Sequence, residues 1–312
     1  MTPDKKINIA IIGIGHLGSR HLKVYCEMAD QVNIVGVCDT QQDRTLKLAD
    51  HYHVPYIRDM RDLLGRVEAV NICTPTTSHF EIAKEFLNNN VHVFVEKPIT
   101  TTVAQADKLV ALAKKKKRIL QVGHIERFNS AFEGIRHFAR NPRFVECHRL
   151  NHFPNRSLDI GVVMDLMIHD IDIVLGLTDA KIKAIDAVGV KVLTPLEDIA
   201  NARIRFGNGC VCNLTASRVS DEVTRKIRIF LDDAYISLDY VKQEAFIYKK
   251  HGTLISKHAL PIEKEEPLKK ELLSFIECVR HGQKPIVSGL EARNALKVAL
   301  DITQKIWKQQ NI

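Results

Sequence analysis

The chain has 312 residues, 45% of them hydrophobic and 26% charged, which is the make-up of a globular protein and excludes a disordered or fibrous one. That length suits two domains. The formal charge of +8 favours anionic ligands, and no apolar run is long enough for a bilayer span, so a membrane role is not expected.

The first element follows Lys5 and Lys6. An apolar run, Ile7 to Ile12, leads into Gly13-x-Gly15-x-x-Gly18 and a helix-competent segment with His16, Leu17 and Arg20. The two lysines before an apolar run superficially resemble a secretory signal. The run is too short for one, holds the glycines and has no small-residue cleavage site after it. It reads as a buried strand. Gly13 permits a tight turn, Gly15 lets backbone approach a pyrophosphate, and Gly18 lets helix pack on strand. The helix start then offers free N–H groups to the anion. A second apolar run, Val32 to Cys38, ends in Asp39. A dinucleotide fold places there the carboxylate that holds the adenosine ribose. The bland alternative is a plain strand-turn-helix with an unrelated Asp.

Alternation continues up to about residue 122. Strands are expected at 6–12, 32–38, 69–73, 91–95 and 118–122, and helices at 16–28, 41–51, 78–89 and 102–116. Near-continuous apolar strands separated by helices predict a parallel sheet covered on both faces. Thr77 and Ser78 suit the cap of the third helix, with Glu81 completing a capping box. The basic run Lys114 to Arg118 closes a helix, where the dipole favours cations. It lacks interleaved aromatics, so no nucleic-acid partner is expected.

Beyond residue 122 the pattern changes. Helices near 127–140 and 164–176 precede strands at about 143–152, 182–191, 199–206, 210–218, 224–231, 234–240 and 244–249. Asn208-Gly209 and Asp232-Asp233 sit where hairpin turns belong. The segment 261–267 reads as a loop, and helices at about 267–281 and 289–309 close the chain. The fold class is therefore α/β: a parallel-sheet domain over 1–122, then an α+β domain over 123–312 on an open, mostly antiparallel sheet.

Two constellations can carry chemistry. Glu96-Lys97-Pro98 follows an apolar strand, at the strand end where open α/β sheets bind ligands. The alternative is an ordinary surface lysine. Asp165, His169 and Asp172 are spaced by four and three on a helix and share a face. A carboxylate beside an imidazole orients it as a general base. The alternative is a solvated polar face. His124, His148 and His152 form no ordered set. The seven cysteines are scattered without a CxxC pair, and Cys210 and Cys212 share a strand face without completing a zinc site. They read as reduced core residues, which implies a cytoplasmic protein without a metal.

Gly13-x-Gly15-x-x-Gly18, Asp39, Thr74-Pro75-Thr76-x-x-His79, Glu96-Lys97-Pro98, Gly123-His-Ile-Glu-Arg127-Phe128 and Asp165-x-x-x-His169 occur in one order. In that order the chain resembles the glucose-fructose oxidoreductase / inositol dehydrogenase / MocA family over essentially its whole length. The resemblance implies a Rossmann domain, a second domain for substrate and oligomerisation, and a nicotinamide cofactor. It implies that Gly13, Gly15, His16, Leu17, Gly18, Asp39, Thr74, His79, Glu96 and Lys97 serve the cofactor. It implies that Lys97, Arg127, Asp165 and His169 meet the substrate, with Lys97, Asp165 and His169 catalytic.

Segments 123–129 and 158–173 look most like the members that oxidise the 3-hydroxyl of UDP-N-acetylglucosamine on a route to the amino sugars of lipid A. The expectation is NAD-dependent oxidation of a sugar secondary alcohol, with Asp39 favouring NAD over NADP. His169 or Lys97 takes the proton. The rival readings are a dehydrogenase of a free sugar or inositol, a tetrapyrrole reductase, and a non-catalytic nucleotide-sensing regulator. A small-molecule substrate and a homo-oligomer, dimer or tetramer, complete the expectation.

Overall fold

The computed structural model describes residues 5–154 and 160–310. The chain divides into two compact units, one of residues Met1–His124 with Leu268–Arg293, the other of Ile125–Pro267 with Asn294–Ile312. The chain leaves the first unit near the expected boundary, but residues 268–293 come back to it, which the division into 1–122 and 123–312 had not included.

The first unit runs β1 (Ile7–Ile12), α1 (His16–Glu27), β2 (Val32–Cys38), α2 (Gln42–His51), β3 (Ala69–Ile72), α3 (Thr76–Asn88), β4 (His92–Glu96), α4 (Val103–Lys116) and β5 (Leu120–Gly123). The strands form one parallel sheet in the order β2-β1-β3-β4-β5. β3 and β5 are buried along their whole length, because helices cover both faces. The chain reverses direction across the sheet between β1 and β3, which makes their carboxyl ends the ligand-binding crevice of such a fold.

Three local details refine the sequence reading. α3 starts at Thr76 with Pro75 at the cap position. Ser78 does not cap it; its hydroxyl bonds Thr74 Oγ1 at 2.7 Å and Pro75 O at 2.8 Å, so the expected capping box is absent. α4 is capped by Thr102 and ends at Lys117 in the left-handed conformation, with Lys114, Lys115 and Lys116 in its last turn. The basic run is thus a helix terminus that complements the dipole.

The second unit opens with a 3-10 turn at Ile125–Phe128, then α5 (Ser130–Ile135) and β6 (Phe144–Leu150). Asn129 caps α5 by accepting the Ala131 N–H, so the long helix expected at 127–140 is broken into two short pieces. A π-helical turn at Val163–Met167 runs into α6 (Ile168–Leu177). The strands β7 (Ile182–Val190), β8 (Ile199–Phe206), β9 (Val211–Ser217), β10 (Thr224–Phe230), β11 (Ala234–Asp239), β12 (Glu244–His251) and β13 (Leu254–Ala259) follow. After them come α7 (Pro267–His281) and α8 (Gly289–Gln310).

The second sheet has the order β13-β12-β11-β10-β6-β9-β8-β7. Its pairs are antiparallel except β6 with β9, which are parallel. Both expected hairpins are present, with Gly209 at positive φ in the β8–β9 turn. β6 and β8 alternate strictly between covered and open positions. Their covered residues join Phe132, Ile171, Val174, Ala299 and Ile302 in one core. β13 was not expected. Its residues are mostly exposed, so nothing in its sequence had to alternate. Among the described residues, no helix is long and apolar enough to cross a membrane.

Candidate functional site

In the first unit the glycine turn is built as the fingerprint requires. Gly13 sits at φ +86°, and a Cβ there would lie 2.7 Å from the Cys73 carbonyl carbon. At Gly18 a Cβ would lie 1.8 Å from the Gly13 oxygen, so no other residue fits between turn and helix. Gly15 faces open space: nothing lies within 4 Å of its would-be Cβ. No side chain caps α1 and no acidic residue occupies its first turn, the setting in which a helix start favours an anion. His16 and Leu17 open that helix and are exposed.

Asp39 ends β2 beside this turn. Its Oδ2 accepts the Ile14 N–H at 2.6 Å and an Arg44 N–H at 3.2 Å, and its Oδ1 accepts the Gln41 N–H at 2.8 Å. The carboxylate is thereby oriented at the mouth of the turn. Open space at Gly15, an uncapped helix start and an oriented acid together fit a dinucleotide.

The Thr74 loop and the Lys97-Pro98 segment are joined by His79. One ring nitrogen lies 2.8 Å from Thr74 O and the other 2.9 Å from Pro98 O. Burial lowers its pKa, against the pull of those carbonyls. His79 is 1% exposed. It is a clamp between two loops. The Lys97–Pro98 peptide is cis, and Lys97 is half-buried.

Glu96 turns inward and is 7% exposed. Its Oε1 lies 3.0 Å from His21 Nε2, and its Oε2 accepts the Lys97 N–H at 3.2 Å. Burial opposes its charge, but the His21 Nε2 contact, the Lys97 charge and the Lys97 N–H outweigh it and hold the carboxyl below its ordinary range. Behind His21 stand Asn71 and Tyr25. The sequence reading missed all three. The signal for Asn71 was a polar residue inside an apolar strand, and for His21 and Tyr25 their four-residue spacing on the helix face that packs on β1.

In the second unit the Asp165–Asp172 segment divides by burial. Asp172 takes Arg127 in a forked pair, at 2.6 Å from Nε and 3.1 Å from Nη2, and its carbonyl accepts a third bond at 2.6 Å. Asp170 accepts two bonds from Arg149 at 2.9 Å, and Arg149 also bonds Glu126 at 2.6 Å. These buried pairs pin α6 and its π turn. Arg127 is therefore engaged in holding the helix. Asp172 leaves the polar face on which spacing had put it. Asp165, in the π turn, and His169, one turn on, remain half-buried. π turns recur at functional sites. Among the described residues, no group of His, Cys, Asp or Glu is placed to hold a metal ion.

Comparison with known proteins agrees with this geometry. Residues 7–124 match the model of an oxidoreductase family with an NAD-binding Rossmann fold, and residues 117–237 match the GFO/IDH/MocA C-terminal domain. The chain is 36% identical over 299 residues to a UDP-N-acetylglucosamine 3-dehydrogenase of Acidithiobacillus ferrooxidans, covering 94% of this chain and 95% of that one. A crystal structure under that same name and organism superposes with a TM-score of 0.92 at 34% identity, over 97% of this chain and 98% of the other. A myo-inositol 2-dehydrogenase of Thermotoga maritima is 24% identical, over 98% of each chain. The chain belongs to the GFO/IDH/MocA family and is an NAD(P)-dependent oxidoreductase.

Proposed function

We propose that the protein oxidises the 3-hydroxyl of UDP-N-acetylglucosamine, or of a related UDP-amino sugar, to a ketone with NAD. The observation that carries this reading is the 36% identity, along nearly the whole chain, to a protein named for that reaction. Asp39 supports NAD: an oriented carboxylate accepts ribose hydroxyls and repels a 2′-phosphate.

Gly13, Gly15, Gly18 and the start of α1 hold the dinucleotide, and Asp39 holds its ribose. The bound nicotinamide supplies the hydride acceptor. His169 takes the hydroxyl proton, and Asp165, one turn earlier, orients it. Lys97 donates to the same oxygen and stabilises the charge that develops there. Asp170 and Asp172, paired with arginines, keep the helix that carries His169 in place. The open face of the second sheet supports association of copies of the chain.

The test is NAD reduction across nucleotide sugars and free polyols. Turnover of UDP-N-acetylglucosamine with none of free sugars or inositols is expected. Turnover of inositol alone would move the protein toward its 24%-identical relative. Tight NAD binding without turnover of any sugar would make it a sensor.

A further inference from the structure

The buried polar groups behind Glu96 form one directed chain. The Tyr25 hydroxyl donates to Asn71 Oδ1 at 2.9 Å. Burial raises the Tyr25 pKa well above its ordinary value, so this donor keeps its proton. With its oxygen so engaged, the Asn71 amide presents its nitrogen to His21 Nδ1 at 3.0 Å. His21 Nδ1 is then the acceptor, and the ring proton sits on Nε2. That Nε2 faces Glu96 Oε1 at 3.0 Å. The chain ends on Glu96 Oε2, which accepts the Lys97 N–H.

Packing holds each link in place. The Phe94 ring meets the His21 ring edge-on, at 5.5 Å and 69°. Gly123 leaves room for the carboxylate, since a Cβ there would lie 2.7 Å from Glu96 Oε2. Tyr25, His21 and Asn71 are each fully buried, so solvent does not compete for the Tyr25–Asn71 and Asn71–His21 hydrogen bonds or for the 3.0 Å contact of His21 Nε2 with Glu96.

We propose that Tyr25, Asn71 and His21 are a positioning relay that orients the carboxylate of Glu96 and, through its bond to the Lys97 backbone, places Lys97 for the reaction. Glu96 is then a positioning residue and not a cofactor contact. This rests on the reading that Lys97 serves the reacting oxygen. A misplacement of about 1 Å costs about a hundredfold in rate, so relay variants lose turnover with little loss of binding.

The experiment is a double-mutant cycle on whichever alcohol the wild-type enzyme turns over, with hydrogen exchange read alongside. His21→Phe keeps the ring and removes both nitrogens. It is expected to lower kcat by about 10- to 100-fold while KM for alcohol and NAD stays within about threefold. His21→Gln supplies a donor toward Glu96 and is expected to recover most of the rate. In a Lys97→Ala background, His21→Phe should cost less than about threefold, because the group it places is gone.

Independently of turnover, the Lys97 amide should exchange faster in His21→Phe while β1 amides keep their protection. If His21→Phe does not fold, Tyr25→Phe removes only the outermost donor and should show the same pattern in smaller degree. Equal losses in both backgrounds, no recovery with Gln, or unchanged Lys97 exchange would each overturn the relay. Full activity in Lys97→Ala would instead show that the catalytic reading of Lys97 had failed. The exchange result would then still report whether the relay reaches that backbone.

Discussion

The Ile14 amide donates to the Asp39 carboxylate at 2.6 Å, so the glycine turn after β1 and the acid that ends β2 are set by one bond. Arg44 shares the same carboxylate oxygen. On the proposed reading of Asp39, cofactor choice depends on a group that is also structural. Asp39→Ala removes the ribose acceptor and frees Arg44 for a 2′-phosphate. Hydrogen bonds to a charged group contribute about 1.5–3 kcal/mol, so NAD affinity should fall about 10- to 100-fold and preference over NADP should narrow. Fluorescence titration with both dinucleotides checks this. A wild type that already prefers NADP would contradict it.

His169→Asn should separate chemistry from binding. Loss of a general base costs about 10² to 10⁴ in rate, so kcat should fall by that order. NAD affinity should hold, because the glycine turn and Asp39 are untouched. On the role proposed for it, Lys97→Ala should be comparably severe, since it would remove charge stabilisation from the reacting oxygen. Near wild-type kcat in His169→Asn would make His169 a packing residue.

Acid should act on the first unit through His92. Its Nδ1 accepts the Ile119 N–H at 3.0 Å, which requires the unprotonated ring. Burial, and then the Arg118 charge, push its pKa down to about 4 from an ordinary 6.5. The unfolded chain thus binds the proton more readily than the folded one. The stabilisation is full above about pH 6.5 and is lost as pH falls toward about 4. Thermal unfolding between pH 7 and pH 4 should show this decline, and His92→Asn, which keeps an acceptor without titrating, should flatten it. An equal decline in the variant would place the acid sensitivity elsewhere.

Cys210 and Cys212 should matter for stability and not for turnover. Their sulfurs lie 3.9 Å apart in the core of the second unit. Replacing both by Ser buries hydroxyls with poorer partners, at about 1–3 kcal/mol for each one left unsatisfied. The melting temperature should drop while kcat stays within a few-fold. Dialysis against chelator should leave activity intact. Activity lost to chelator and restored by zinc would reverse the expectation that no metal is required.

The parallel sheet was legible because its strands are largely buried on both faces, so near-continuous apolar runs such as Ile7–Ile12 and Val91–Val95, interrupted only by Asn8 and His92, stand out. The glycine turn was legible because sterics admit only glycine at 13 and 18. What escaped was set by distant contacts. β13 has no buried face to pattern. The break after Phe128 depends on the Asn129 cap, and the π turn before α6 left no local mark.

The same holds at the candidate site. Spacing placed Asp172 with His169, but it cannot show that Arg127, far off in sequence, claims that carboxylate. Glu96 was legible as part of a motif. Its inward direction was not, because His21 and Gly123 decide it.

Residues 268–293 complete the first unit from the far end of the chain. Phe275 meets Phe94 with ring centroids 5.7 Å apart, Glu271 O accepts from Gln121 at 3.1 Å, and Val287 O accepts the Val122 N–H at 3.1 Å on the edge strand β5. During synthesis, residues 125–267 leave the ribosome before any of these. The N-terminal sheet must wait with the edge of β5 unprotected and Phe94 uncovered until residues 268–293 have been made. Chains released early, anywhere before residue 268, carry that adhesive edge permanently. Premature termination in this gene should therefore yield aggregates and not a free dinucleotide-binding fragment.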